Sequence, residues 1–362
     1  MISMQRIFLA VLLIITQPIF CNSFSSNHFR PLQCGRAALR VKADFESLVQ
    51  PKSSTRFASS TALRSVYAFS GVDEGVDEKV GKFRPGPRIS IGSLKLNWYG
   101  VIWGIIGVSL GIVWWLSLAA YQAFQFLTRQ KFDPQRRIPV ELGHLWGTVV
   151  LRLTNCYPVV IGKQNLKAIH KRDKETKKKT TVMFVANHAS WMDIYYVGVS
   201  LGWKNYKMVA KSELLKVPFL SKSLRVAKHI ILDRTNLKSQ LQTYKTGVKY
   251  LKDGVNLVTF AEGTRSDNGR LGPFKKGAFR MATATGACIV PISISYAHKV
   301  HPKDYILPVR MGRRIPASIH IGEPIETEGK SEDELAENVW CQIAENLPES
   351  QKPLVGTPRS VK

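Results

Sequence analysis

Acid is what this chain is short of. Its 362 residues carry 26 Asp and Glu against 52 Lys and Arg, a formal net charge of +26. An imbalance of that size implies an acidic counterpart: nucleic acid, anionic lipid or an acidic protein. Cysteine is also sparse. The five, at 21, 34, 156, 288 and 341, have no paired close spacing, so neither a disulfide framework nor a cysteine metal centre is indicated. Cys288 opens a strand pattern and reads as a small buried residue. No internal repeat appears. No recognisable nucleic-acid module is present either, and the aromatics gather in an apolar segment instead of among the basic residues, which counts against nucleic acid as the partner.

Charge is missing altogether from residues 96–128. As a helix at ~1.5 Å per residue this stretch reaches about 50 Å, against a bilayer core of ~30 Å. One tilted span with an interfacial extension fits, and so does a shallow pair of helices that does not cross. Trp98, Tyr99, Trp103, Trp114, Trp115 and Tyr121 are candidate interface anchors. Gly100/Gly104 and Gly107/Gly111 have small-xxx-small spacing. Basic residues flank both ends in similar number, so the charge rule sets no orientation.

Residues 1–23 read as a signal peptide. Arg6 is the basic start, 7–15 the apolar core and Cys21-Asn22-Ser23 the small-residue end; a core that short does not span a bilayer. Residues 24–65 are rich in Ser, Arg and Ala, with Asp44 and Glu46 the only acids, which is transit-peptide composition. A signal peptide followed by a transit peptide at Ser23-Phe24 resembles the bipartite plastid presequences of algae with secondary plastids, such as diatoms. The resemblance implies a plastid membrane; secretion, mitochondrial import or an endoplasmic reticulum membrane are the alternatives. Residues 66–95 read as a linker.

Residues 138–160 read as an amphipathic helix at the interface followed by an edge strand. Residues 163–179 are a basic run, read as a solvated loop or a contact for anionic headgroups or an acidic acyl carrier. From Thr181 strands and helices alternate: strands 182–186, 206–210, 229–232, 255–261, 289–295 and 317–321, and helices 191–201, 216–227, 237–252 and 275–285. A last helix starts at Glu332 behind a Ser331/Glu334 capping box. The pattern predicts an α/β fold with a mixed, partly parallel sheet covered by helices. It occupies residues 138–347, preceded by the membrane-associated segment 96–128 and followed by a flexible tail, 348–362.

Two stretches carry chemistry. The first is a buried strand, 182–186, that stops at Asn187-His188, after which Ser190 is placed to cap a helix holding Asp193. Five residues on a helix turn about 500°, so His188 and Asp193 meet only if His188 precedes the helix on the strand-to-helix turn. A carboxylate there orients an imidazole at the carboxyl end of a strand. Such an imidazole takes a proton from a hydroxyl during attack on an acyl carbonyl. The second is the strand 255–261 running into Glu262-Gly263-Thr264-Arg265-Ser266. An Arg fork beside a Thr hydroxyl on a Gly turn suits bidentate phosphate capture.

Together these stretches resemble the 1-acylglycerol-3-phosphate acyltransferases. That family has Asn-His, four residues, Asp, matched by Asn187, His188 and Asp193, and Phe-Pro-Glu-Gly-Thr-Arg-Ser, matched by 260–266 with Ala261 in place of Pro. Its Asp-Arg block matches Ile230-Ile231-Leu232-Asp233-Arg234, and its Val-Pro-Ile strand matches Val290-Pro291-Ile292. Lys211-Ser212-Glu213-Leu214 with Val217-Pro218 is similar too, so the resemblance covers about 142–323. Losing the Pro is expected to loosen the turn.

The resemblance implies His188 as base and Asp193 as its orienter. It implies Arg265, Thr264 and Gly263 at the acceptor phosphate with Arg234 assisting, and Glu262 positioning Arg265 or the acceptor; Lys275 and Lys276, opening a helix nearby, rank lower. The implied acceptor is lysophosphatidic acid, and the donor acyl-ACP or acyl-CoA. No Ser or Cys sits in a nucleophile elbow, so direct attack is expected with no acyl-enzyme, and a thioester requires no metal or cofactor. Alternative acceptors are lysophosphatidylglycerol and glycerol-3-phosphate. From another class, a membrane-anchored basic binding protein or a catalytically silent scaffold would share the charge.

Overall fold

The computed structural model describes residues 88–91, 94–177, 179–217, 220–309 and 317–361. The segments read as signal and transit peptides, 1–23 and 24–65, and most of the expected linker lie outside the described residues. The end of that linker is not loop: β1 (Arg88–Ile91) and β2 (Leu94–Asn97) form an antiparallel hairpin. Lys95 N donates to Asp304 O at 2.7 Å, which ties the hairpin to a loop 209 residues away in sequence.

The uncharged segment forms one helix, α1 (Trp98–Leu127), with Asn97 Oδ1 accepting from Gly100 N at its start. A single helix replaces the shallow pair. It is long and apolar enough to cross a membrane. One face is buried, through Gly100, Trp103, Gly107, Gly111, Trp114, Leu118 and Tyr121, while Trp98, Ile102, Ile105, Ile112 and Trp115 are exposed. The aromatics therefore divide. Trp114 stacks on Trp146 of α2 (Arg137–Leu153) at 4.6 Å, so it packs instead of anchoring. A Cβ on Gly104 would come within 2.8 Å of Leu307 Cδ1, so part of the small-residue stripe admits the 301–309 loop. α2 begins where Asp133 accepts from Arg137 N at 2.8 Å and from Ile138 N at 2.9 Å.

The basic run is helical: α3 (Lys163–Thr176) turns Leu166 and Ile169 into the core. Two apolar residues three apart share a helix face, and that was enough to dock a segment expected as loop.

Seven strands make one sheet in the order β3-β10-β9-β4-β7-β5-β6. They are β3 (Val159–Ile161), β4 (Val182–Ala186), β5 (Tyr206–Lys211), β6 (Ile230–Leu232), β7 (Asn256–Phe260), β9 (Cys288–Ser295) and β10 (Ser318–Ile321). The β9–β10 pair is antiparallel and the others are parallel. β4 lies at the centre and is buried throughout, and its alternation shows why. Val182, Phe184 and Ala186 face one core with α4 (Met192–Leu201), while Met183 and Val185 face the other. That second core holds α6 (Leu237–Lys252), α7 (Gly277–Thr283) and α9 (Glu332–Glu345). The short helix α8 (Ala297–Val300) adds to the first core, and α5 (Leu220–Val226) packs Val226 with Trp114 and Leu118 of α1. A strand buried on both faces needs the near-continuous apolar run seen here.

Two expectations near the C-terminus are corrected. Lys275 does not open a helix: Phe274–Lys275 is a short strand, β8, and α7 begins only at Gly277. Its partner comes from the expected flexible tail, where β11 (Ser360–Val361) pairs with β8 in parallel. Gln351 is fully buried; its Oε1 accepts from Tyr296 N at 2.6 Å and its Nε2 donates to Gly269 O at 3.1 Å. Those are backbone groups that burial would otherwise leave unsatisfied.

Candidate active site

β4 and β7 are adjacent and parallel, with Ala186 opposite Phe260. Two residues further along each strand stand His188 and Glu262, so the register alone brings the two motif turns together. This is the carboxyl edge of the sheet, where α/β folds place their crevices.

Asn187 ends β4 by substituting its side chain for backbone. Its Oδ1 accepts from Ile294 N at 2.7 Å and its Nδ2 donates to Ile294 O at 3.0 Å. The main chain is thus free to turn away and present His188. Motif matching had found Asn187 but given it no task.

His188 Nδ1 lies 2.8 Å from Asp193 Oδ2. A carboxylate has no proton to give, so Nδ1 carries the hydrogen, and in the neutral ring Nε2 is the free acceptor. The same Oδ2 accepts from Ala189 N at 2.7 Å and Ser190 N at 2.8 Å. Asp193 is completely buried, whereas the His188 side chain keeps 16% exposure. Phe260 stacks on the imidazole, with centroids 4.2 Å apart and planes at 18°. The aromatic platform and the carboxylate together fix the ring plane. Ser190 Oγ accepts from Met192 N at 3.3 Å, a weak version of the expected cap, and donates to His301 O at 3.2 Å.

Glu262 is buried, and both of its oxygens bond backbone amides. Oε1 accepts from His188 N at 2.7 Å and Oε2 from Gly272 N at 3.0 Å. Burial pushes this carboxyl up to about 7, against the opposing pull of the two amides. Glu262 clamps the His188 turn to the Gly272 segment.

Ala261 behaves differently from the expected loosening. Its N–H donates to Ala186 O at 3.3 Å, and its carbonyl accepts from Lys275 N at 2.8 Å. A Pro there would forfeit the first bond. Gly263, at φ +76°, makes the following turn; a Cβ would meet Lys275 Cε at 2.9 Å. Glycine is favoured there by its left-handed conformation, while the Lys275 side chain could move aside.

An open cleft of about 1390 Å³ covers this edge, and His188, Gly263, Thr264, Arg265 and Arg234 all line it. Its volume exceeds the ~300–1000 Å³ of usual small-molecule pockets. Its lining includes the leucines at 214, 220, 224, 237 and 241 and the cations Lys238, Lys275, Lys276 and Arg280 beside the two arginines. Lys276 is occupied by Asp333 at 2.6 Å and Arg280 by Glu332 at 2.9 Å. Arg265 and Arg234 have no ion pair among the described residues, and partial burial lowers Arg234 from its ordinary value. The cleft also holds Trp191 and His301, which sequence reasoning had not singled out. Burial lowers His301, whose Nε2 sits 3.0 Å from Tyr305 O.

The arrangement offers an imidazole backed by a buried carboxylate, two guanidinium groups with no ion pair among the described residues, and a set of leucines in the same cleft. The Acyltransferase family model matches residues 159–295. The chain is 31% identical over 217 residues to the chloroplastic 1-acyl-sn-glycerol-3-phosphate acyltransferase LPAT1 of Arabidopsis thaliana, covering 60% of this chain and 56% of that one. It is 32% identical over 224 residues to the 1-acyl-sn-glycerol-3-phosphate acyltransferase of Limnanthes alba, covering 59% of this chain and 77% of that one. The crystal structure of PlsC from Thermotoga maritima aligns with a TM-score of 0.46 and 26% identity, over 66% of this chain and 92% of the other. With three quarters of the Limnanthes protein covered at that identity, the chain belongs to the family of 1-acyl-sn-glycerol-3-phosphate acyltransferases.

Proposed function

We propose that this protein moves an acyl group from a thioester to the free hydroxyl of 1-acylglycerol-3-phosphate, giving phosphatidic acid. The observation that carries the reading is the 2.8 Å contact of His188 Nδ1 with Asp193, in a cleft shared with Arg265. His188 Nε2 takes the proton of the acceptor hydroxyl as its oxygen attacks the thioester carbonyl. The imidazolium, stabilised by Asp193, then returns the proton to the departing thiolate. Arg265, with Thr264 and the Gly263 turn, holds the acceptor phosphate and Arg234 assists. The leucines of the cleft take acyl chains. A thioester is already activated, so the chemistry needs no metal or cofactor. The donor is acyl-ACP or acyl-CoA, and the excess of basic residues suits either polyanion.

The site works at a bilayer, supported by the exposed apolar face of α1. A plastid membrane, reached through the bipartite presequence, is supported by the similarity to chloroplastic relatives. Imaging of a fluorescent fusion checks this; signal confined to the endoplasmic reticulum would move the enzyme there.

The experiment offers the full chain in liposomes lysophosphatidic acid, lysophosphatidylglycerol or glycerol-3-phosphate, each with acyl-CoA or acyl-ACP. Acylation of lysophosphatidic acid well above the others is expected. Transfer to lysophosphatidylglycerol alone would keep the base and overturn the acceptor.

A further inference from the structure

Arg265 is exposed, and among the described residues it has no ion pair. An arginine that long sweeps a wide arc unless something holds it. What meets it is an indole: Arg265 Cζ lies 4.9 Å from the centroid of Trp191. The geometry is that of a cation–π contact, within the ~6 Å over which the ring's negative face attracts a cation. Among the described residues no acceptor takes the guanidinium N–H donors, so they are left for another group. Those are the donors a phosphate takes two at a time. Both side chains line the cleft that holds His188.

The backbone that carries the indole is held in place. Trp191 belongs to the turn whose Ala189 and Ser190 amides donate to Asp193 Oδ2, at 2.7 and 2.8 Å. The opposite side of the contact is pinned as well, since Ser266 N donates to His188 O at 2.8 Å. One carboxylate therefore orients the base and also fixes the turn from which Trp191 reaches Arg265.

We propose that Trp191 is a positioning residue for the acceptor: its indole holds the Arg265 guanidinium with its donor edge free for a phosphomonoester. This rests on the reading of Arg265 as the phosphate ligand. The conformational freedom an unrestrained arginine would lose on binding is removed before the acceptor arrives.

The test is a double-mutant cycle on the full chain in liposomes, with Trp191→Leu, Trp191→Phe, Arg265→Ala and the Leu/Ala double variant. Steady-state kinetics are run against lysophosphatidic acid and against the acyl donor separately, with thermal unfolding as the check on folding. Trp191→Leu is expected to raise the acceptor KM about two- to ten-fold, the size of an exposed to half-desolvated cation–π contact, with kcat and the donor KM unchanged. Trp191→Phe, which keeps a weaker ring face, falls between, and carries the test if the Leu variant does not fold. In the Arg265→Ala background Trp191→Leu changes the acceptor KM no further. Equal rises in both KM values, or an undiminished effect without Arg265, would overturn the role. If Arg265→Ala raises the acceptor KM and neither Trp191 variant does, Trp191 alone loses its role. If Arg265→Ala leaves that KM unchanged, the phosphate reading of Arg265 falls too.

Discussion

The carboxylate of Glu262 holds the backbone of His188. Oε1 accepts from His188 N at 2.7 Å across 74 residues of sequence, and the second oxygen takes Gly272 N at 3.0 Å. The second motif thus sets the position of the first.

That clamp needs two acceptor oxygens, and a carboxamide has one. Glu262→Gln leaves one backbone N–H facing an NH2 group, which displaces the His188 turn. A drop in kcat of about 10- to 100-fold is expected for a misplacement of this kind, with the acceptor KM little changed. A selective rise in acceptor KM would instead return Glu262 to the phosphate.

The same carboxyl makes stability depend on pH. Burial pushes it up to about 7, above the ~4.3 of an unfolded Glu. A group raised on folding favours the folded state while protonated, so its contribution is full below about 4 and is lost as pH rises through 7. Urea unfolding at pH 5 and pH 8 is expected to show wild type losing on the order of 1–3 kcal/mol relative to Glu262→Gln over that interval. Parallel behaviour of the two proteins would contradict it.

Asp193→Asn isolates charge from geometry. The amide oxygen can occupy the place of Oδ2 and accept its three N–H bonds, leaving the fold in place, but it cannot stabilise an imidazolium. Loss of about 10²- to 10⁴-fold in kcat is expected, with an unchanged unfolding midpoint. Near-normal turnover would show that the imidazole needs no carboxylate.

At Arg265 the fork matters as well as the charge. Arg265→Lys keeps the charge and loses the bidentate geometry. The acceptor KM is expected to rise and the donor KM to stay, as measured with each substrate varied in turn. Equal effects on both would argue against phosphate capture there.

Deleting residues 348–362 removes buried Gln351, its bonds to Tyr296 and Gly269, and the strand beside Lys275. At roughly 1 kcal/mol per lost bond, and more for each buried group left unpaired, chemical denaturation is expected to register a loss of at least ~2 kcal/mol. An unchanged midpoint would restore the segment to the status of a loose tail.

The central strands and their spacing to the helices were legible because β4 and β9 are buried on both faces and their apolar runs say so. His188 and Asp193 were legible for a geometric reason: a spacing of five closes only across a strand-to-helix turn. What stayed hidden depended on partners distant in sequence. Lys275 reads as helix locally and becomes strand because Ser360 and Val361 lie beside it. Glu262 reads as a polar loop residue, and only the β4–β7 register turns its carboxylate toward the His188 amide. Trp191 reads as a helix-start apolar residue; nothing local shows that its face meets Arg265. The basic run 163–179 reads as loop because its cations outnumber the two residues, Leu166 and Ile169, that dock it.

The proposed chemistry turns on His188. The most direct measurement is acylation of lysophosphatidic acid by the full chain and by His188→Ala, in the same liposomes with the same thioester, with thermal unfolding recorded for both. The account predicts matched unfolding and a rate lowered by at least ~10³-fold, the combined size of general-base and proximity effects. Turnover near wild type in a folded His188→Ala protein would contradict it and place the chemistry elsewhere in the cleft.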